Sequence, residues 1–275
     1  MKRFLEKNHG KIVFFILTFI FIVSTLNAWQ DSAIFDETAH IGAAYTYVTQ
    51  NEIRLNPEHP PLIKDLAGLP LLFLDLKLDI NQPFWKGTLP NKWDEGQWEA
   101  GKTLLYKSGN NPDQIIFWSR MPIIILSLFL GWFIFFWTKK LSGIAAGLLA
   151  LVLYAFDPNI LGHNHFVTTD LGIAAFMVLA FYFFLKFIKE PTWKNTIWGG
   201  IFLGLLQLAK FSALIAFPVL AIILIIYPWL KINRHQKDSD LIFKLKQFGN
   251  YLGKGSIALV ISLLVVWTVY FINTF

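Results

Sequence analysis

The sequence has no cysteine. Disulfides and thiolate metal sites are therefore excluded. Charge is scarce: Asp, Glu, Lys and Arg make up 15% of the 275 residues, against 55% hydrophobic ones. With a mean hydropathy of +0.50, that balance excludes an ordinary soluble domain and points to a polytopic membrane protein. There is no internal repeat, no low-complexity tract and no Gly-rich phosphate loop. The net charge is +6. In a membrane protein Lys and Arg gather on the cytoplasmic side, so this excess does not argue for nucleic acid.

What is present is a series of apolar runs. A basic start with Lys2, Arg3, Lys7 and Lys11 precedes the run Ile12–Ala28. Leu26-Asn27-Ala28 is a poor small-x-small cleavage site, so the run reads as a membrane helix with a cytoplasmic N-terminus. Further spans are expected at Ile115–Trp137, Leu141–Phe156, Leu171–Phe187, Thr196–Leu208, Ser212–Leu230 and Ser256–Phe271. Leu141–Phe156 and Thr196–Leu208 are short against the roughly 20 residues a spanning helix needs. The turns assigned to the inside carry Lys139, Lys140, Lys186, Lys189, Lys194, Lys231, Arg234 and Lys237, as the positive-inside rule expects.

The expected architecture is an all-α polytopic bundle of about seven transmembrane helices, read as one module over 1–275. A long external loop, 30–111, holds interfacial helices, and a short one covers 157–169. Leu62–Leu74 is apolar but broken by Lys64, Asp65, Gly68 and Pro70, which suits a helix lying in the interface. Trp85, Trp93 and Trp98 follow among charges, as amphipathic anchors or as a sugar-facing surface.

The ionisable groups concentrate in Phe35–Lys64, which holds Asp36, Glu37, His40, Arg54, Glu58, His59 and Lys64. If a helix starts at Asp36, Asp36 and His40 share a face and Glu37 points to one side. The acidic pair reads as a general base, as metal ligands, or as a solvated helix start favoured by the helix dipole. His59-Pro60-Pro61 followed by Lys64 reads as a rigid turn with a snorkelling lysine, or as a wall presenting His59, Lys64 and Arg54 to an anion. His163 and His165 would lie on one side of an extended loop. With Glu37 or Asp170 they are the candidates for a divalent metal, the one cofactor these residues allow for. Asp170 follows two threonines and opens an apolar run, so helix capping and catalysis both account for it. Lys210 interrupts an apolar run, where a charge costs on the order of 2.5–3.5 kcal/mol near a helix centre. It reads as an interface residue or a phosphate ligand. The topology puts all these groups on the external side.

FDETAHIGAAY with the later HPPLIK resembles the first external loop of the protein O-mannosyltransferases and their bacterial relatives, including the lipid A aminoarabinose transferases. These are GT-C glycosyltransferases of the family 39 type that use polyprenyl-phosphate sugars. The resemblance continues through DPNILGHNHFVTTD and GLLQLAKFSAL. It implies Asp36 as catalytic base, with Glu37, His59 and Lys64 shaping the site. It further implies Asp170 as a second acidic position and Lys210 as a basic group meeting the lipid phosphate. Family members carry further helices and a C-terminal region, whereas this chain stops at Phe275 within an apolar run. The C-terminal part of the family is thus expected to be missing.

The expectation is an inverting sugar transfer at the external membrane face, from a polyprenyl-phosphate donor to a protein, lipid or glycan acceptor. Asp36, Glu37 and Asp170 are the catalytic candidates. His40, Arg54, His59, Lys64, His163, His165 and Lys210 are the substrate-binding ones. The rival is a membrane transporter, a lipid-binding protein or an inactive truncated relative. A transporter would place its charges near the bilayer midplane, whereas here they lie in loops.

Overall fold

The computed structural model describes residues 2–90, 95–235 and 240–274. Trp93 and Lys237 lie outside the described residues. Those described fold into helices and turns without a strand. Among the described residues five helices are long and apolar enough to cross a membrane, and the protein is an all-α, multi-pass membrane protein. The two spans that looked short in the sequence form helices of 12 and 17 residues, Ile144–Ala155 and Trp193–Ala209. At 1.5 Å per residue neither covers a hydrocarbon core of about 30 Å.

The chain divides into two compact units, Met1–Ala175 with Asn273–Phe275, and Phe176–Ile272. In the first, α1 (Lys2–Gln30) packs with α6 (Pro112–Ser142) and α7 (Ile144–Ala155). Asn111 caps α6, its side chain accepting from the Gln114 amide at 3.2 Å, and Pro112 opens the helix where a missing N–H costs nothing. Gly143, at φ 89°, turns the chain back into α7. α7 lies so close to α6 that a Cβ on Gly147 would sit 2.9 Å from the Phe135 carbonyl.

Between α1 and α6 the loop builds its own small core. α2 (Phe35–Gln50) ends at Asn51 in the left-handed region. α3 (Leu62–Gly68) runs on into a 3-10 turn, Leu69–Phe73. α4 (Pro83–Lys86) and α5 (Glu95–Lys102) follow. Ala43, Tyr47, Leu55, Phe84 and Ala100 form the buried cluster. α2 and α5 touch backbone to backbone, a Cβ on Gly42 falling 2.7 Å from the Gly101 Cα. α8 (Pro158–His163) forms part of the link from α7 to α9 (Asp170–Lys189).

The second unit contains most of α9, α10 (Trp193–Ala209), α11 (Ala216–His235) and α12 (Leu241–Ile272). Gly200 and Gly204 let α10 approach α12 closely. A Cβ there would meet the Ala258 and Ser262 carbonyls at 2.6 and 2.8 Å. Phe183 of α9 stacks on Phe202 of α10, centroids 4.3 Å apart.

Candidate active site

The first unit is tied together at Arg120, which is fully buried about two turns into α6. A charge at that depth must be paired. All five of its N–H donors are. Nε donates to Glu37 Oε1 at 2.9 Å, and Nη2 to Glu37 Oε2 at 2.6 Å and the Ser32 carbonyl at 3.0 Å. Nη1 donates to the carbonyls of Ala28 and Asp31 at 3.1 and 2.7 Å. The Phe166 ring lies 5.0 Å from the guanidinium.

Glu37 is equally complete. Beyond Arg120, Oε1 accepts from the Val167 amide at 2.9 Å and Oε2 from the Ile34 amide at 3.1 Å. One carboxylate therefore joins the start of α2, the first third of α6 and the loop before α9. Such a charge-assisted fork is both strong and directional.

This separates the acidic pair. Glu37 has no accessible surface, whereas Asp36 is exposed at the same helix start. Asp36 and His40 do not present one surface, because His40 is buried, its ring 5.4 Å from that of His59. Phe35, beside Asp36, is 76% exposed and rests on Trp98, centroids 4.2 Å apart.

The two loop histidines part company. Asp157 caps α8 through the Ile160 amide at 2.9 Å, so the segment expected to be extended is helical up to His163. His163 is exposed and bonds the Asn159 carbonyl of its own helix at 3.0 Å. His165 is buried, its Nε2 3.1 Å from Asp31 Oδ2. Burial lowers its pKa and Arg120 adds to that, with Asp31 and Glu37 opposing. Among the described residues no three His, Asp or Glu side chains are placed to hold a metal ion. The set expected from His163, His165 and Glu37 is not assembled, because Glu37 is fully occupied and the histidines diverge.

Lys64 is fully buried. Its ammonium donates to the Asn56 carbonyl at 2.7 Å, Asn56 Oδ1 at 2.6 Å and the His59 carbonyl at 2.7 Å, and lies 4.8 Å from the Tyr47 ring. Burial brings its pKa down to about 7, with Asp65 and Glu58 opposing the drop. Instead of facing an anion, Lys64 locks the turn that precedes α3. Glu58 accepts from Gln97 Nε2 at 2.7 Å, tying that turn to α5. Arg54 is exposed, paired with Glu52 and placed over Trp85 at 4.6 Å. His59, Lys64 and Arg54 do not form one anion-facing wall, since Lys64 points inward and Arg54 turns to α4.

Asp170 is exposed at the first residue of α9. Lys210, in the second unit, is the extended residue, φ −162° and ψ 142°, that breaks α10 from the 3-10 turn Phe211–Ile215 before α11. Four partners were missed from sequence: Arg120, Asp31, Asn56 and Gln97. Arg120 left a signal, a cation inside the apolar run Ile115–Trp137. The other three are ordinary polar residues of the segment between α1 and α6.

A buried ion pair at one end of a helical membrane bundle, with an exposed carboxylate beside it, defines a membrane protein with a candidate catalytic acidic group. Residues 112–239 match the sequence model of the family described as Dolichyl-phosphate-mannose-protein mannosyltransferase. That stretch is similar to this mannosyltransferase family, whose description names dolichyl-phosphate-mannose. Arg120, His163, His165, Asp170 and Lys210 lie inside the matched stretch, and α2 with Asp36 and Glu37 lies before it. No curated protein matches the chain.

Proposed function

We propose that this membrane protein is a glycosyltransferase that moves a sugar from a polyprenyl-phosphate donor to an acceptor hydroxyl at the external membrane face, with inversion. Asp36 takes the acceptor proton, the acceptor oxygen bonds to the anomeric carbon, and the bond to the lipid phosphate oxygen breaks. The phosphate leaves with the electron pair. The charge that develops on that phosphate calls for a cation to offset it.

The observation that carries this reading is the split of the acidic pair. Glu37 has no lone pair left for a substrate, while Asp36 is exposed on the helix that Glu37 and Arg120 anchor. A rigidly placed base in reach of solvent is what proton removal requires. The external face is supported by the basic last turns of α6 and α9, with Lys139, Lys140, Lys186 and Lys189.

The test is donor choice. Membranes holding the protein are given a polyprenyl-phosphate sugar or the matching nucleotide sugar. Turnover of the lipid-linked donor alone, with the anomeric configuration inverted by NMR, is expected. Use of the nucleotide sugar alone, or retention, would overturn the reading.

A further inference from the structure

Beside Asp36 the loop between α1 and α6 carries a cleft of about 450 Å³, lined by Phe35, Leu89, Glu95, Trp98, Glu99 and Lys102. We propose that this cleft binds a neutral carbohydrate ring and that the ring belongs to the acceptor. The proposal rests on the reading of the chain as a glycosyltransferase with Asp36 as base.

Three observations carry it. The first is an aromatic platform. Phe35 is 76% exposed and is supported from beneath by Trp98, planes 36° apart. An exposed aromatic face propped by a second ring presents its electron-rich surface to the C–H groups of a pyranose. The support is fixed by backbone contact, not by loop packing. Three residues on from Phe35, the Thr38 carbonyl lies 1.7 Å from where a Cβ of Gly101 would be, and Gly101 is three residues on from Trp98. Only glycine allows α2 and α5 to run that close, so the two rings keep their register.

The second is charge. Glu99 is held by Lys102 at 3.2 Å and Lys107 at 2.9 Å, and these bonds keep its pKa below the usual carboxylate range. The lining itself holds two carboxylates, Glu95 and Glu99, and one lysine, Lys102. A cleft lined in this way turns away an anionic headgroup. It offers acceptors and donors to hydroxyl groups.

The third is position. Phe35 and Asp36 are consecutive in the first turn of α2. A ring lying on Phe35 therefore sits one residue along the helix from the exposed Asp36.

The test is saturation-transfer NMR on the purified protein with neutral disaccharides (mannobiose, cellobiose and chitobiose) and a Lys/Ser peptide. Signal transfer to a disaccharide is expected. It should weaken about 2- to 10-fold in Phe35→Ala and Trp98→Ala, the loss of one aromatic contact, and recover in Trp98→Phe. No transfer to any disaccharide, transfer in both alanine variants equal to the parent's, or transfer to the peptide alone would overturn the proposal. Displacement of the disaccharide by a short-chain polyprenyl-phosphate sugar would assign the cleft to the donor and overturn the acceptor claim. Asp36→Asn separates the two readings. Lost turnover in Asp36→Asn with disaccharide transfer unchanged in Trp98→Ala removes only the cleft. Transfer lost in Trp98→Ala with Asp36→Asn fully active removes only the base.

Discussion

Glu37 and Arg120, 83 residues apart in sequence, meet through two hydrogen bonds of 2.9 and 2.6 Å with neither exposed to solvent. Every donor of the one and every lone pair of the other is occupied. The first prediction follows from that completeness. Arg120→Met leaves a buried, uncompensated carboxylate and should cost about 3–5 kcal/mol of stability. Glu37→Gln keeps the shape but leaves the buried guanidinium uncompensated and turns an amide N–H toward a donor, and should also cost about 3–5 kcal/mol. Detergent-solubilised thermal melts check both. A Glu37→Gln variant that melts like the parent would show that the pair does not anchor α2.

Asp65 follows Lys64 in α3, and burial raises its carboxyl pKa to about 6 from 3.8. The folded protein therefore holds a proton that the unfolded chain releases between those pH values. This group's contribution is fully present below about pH 4 and is lost as the pH rises through 6. Asp65→Asn removes the dependence, so parent and variant melting midpoints should change relative to each other between pH 4 and pH 6, the variant being the less pH-sensitive. Parallel curves would contradict the assignment.

The topology is checked with an impermeant thiol reagent, which the absence of native cysteine makes clean. Asn81→Cys and Asn159→Cys, at exposed positions, should react from outside in intact cells. Lys140→Cys and Glu190→Cys, also exposed, should react only after permeabilisation. Labelling of Lys140→Cys from outside would reverse the orientation and with it the external site.

Lys210 is tested through the donor. Lys210→Met should weaken binding of a polyprenyl-phosphate sugar several-fold in an assay that needs no turnover, with insertion unchanged. Binding equal to the parent would return Lys210 to a purely structural place between α10 and α11.

Much of the helical framework is legible in the sequence, because hydropathy and length set it. The runs around Ile12–Ala28, Ile115–Trp137 and Leu171–Phe187 all lie within long helices, and the two spans that looked short are short. The start of α2 at Phe35 and the break at Lys210 were also within reach. The site was less so. That Glu37 turns inward and Asp36 outward depends on a guanidinium 83 residues away, which no local spacing encodes. His163 and His165 separate because Asp157 and Pro158 start a helix that the loop's polarity concealed. Lys64 looked like a snorkelling cation, yet three oxygens of Asn56 and His59 draw it inward. Tertiary partners decided each case.

The central claim is that Asp36 is the base, and Asp36→Asn tests it most directly. Asparagine keeps the shape and serves as well near a helix start, but it takes up no proton at neutral pH. Initial rates of sugar transfer from a polyprenyl-phosphate donor are measured for parent and variant, with melting midpoint and donor binding measured alongside. The account predicts a fall of about 100- to 10,000-fold in turnover, the usual worth of general-base catalysis, with stability and donor binding unchanged. Turnover by Asp36→Asn close to that of the parent would contradict it.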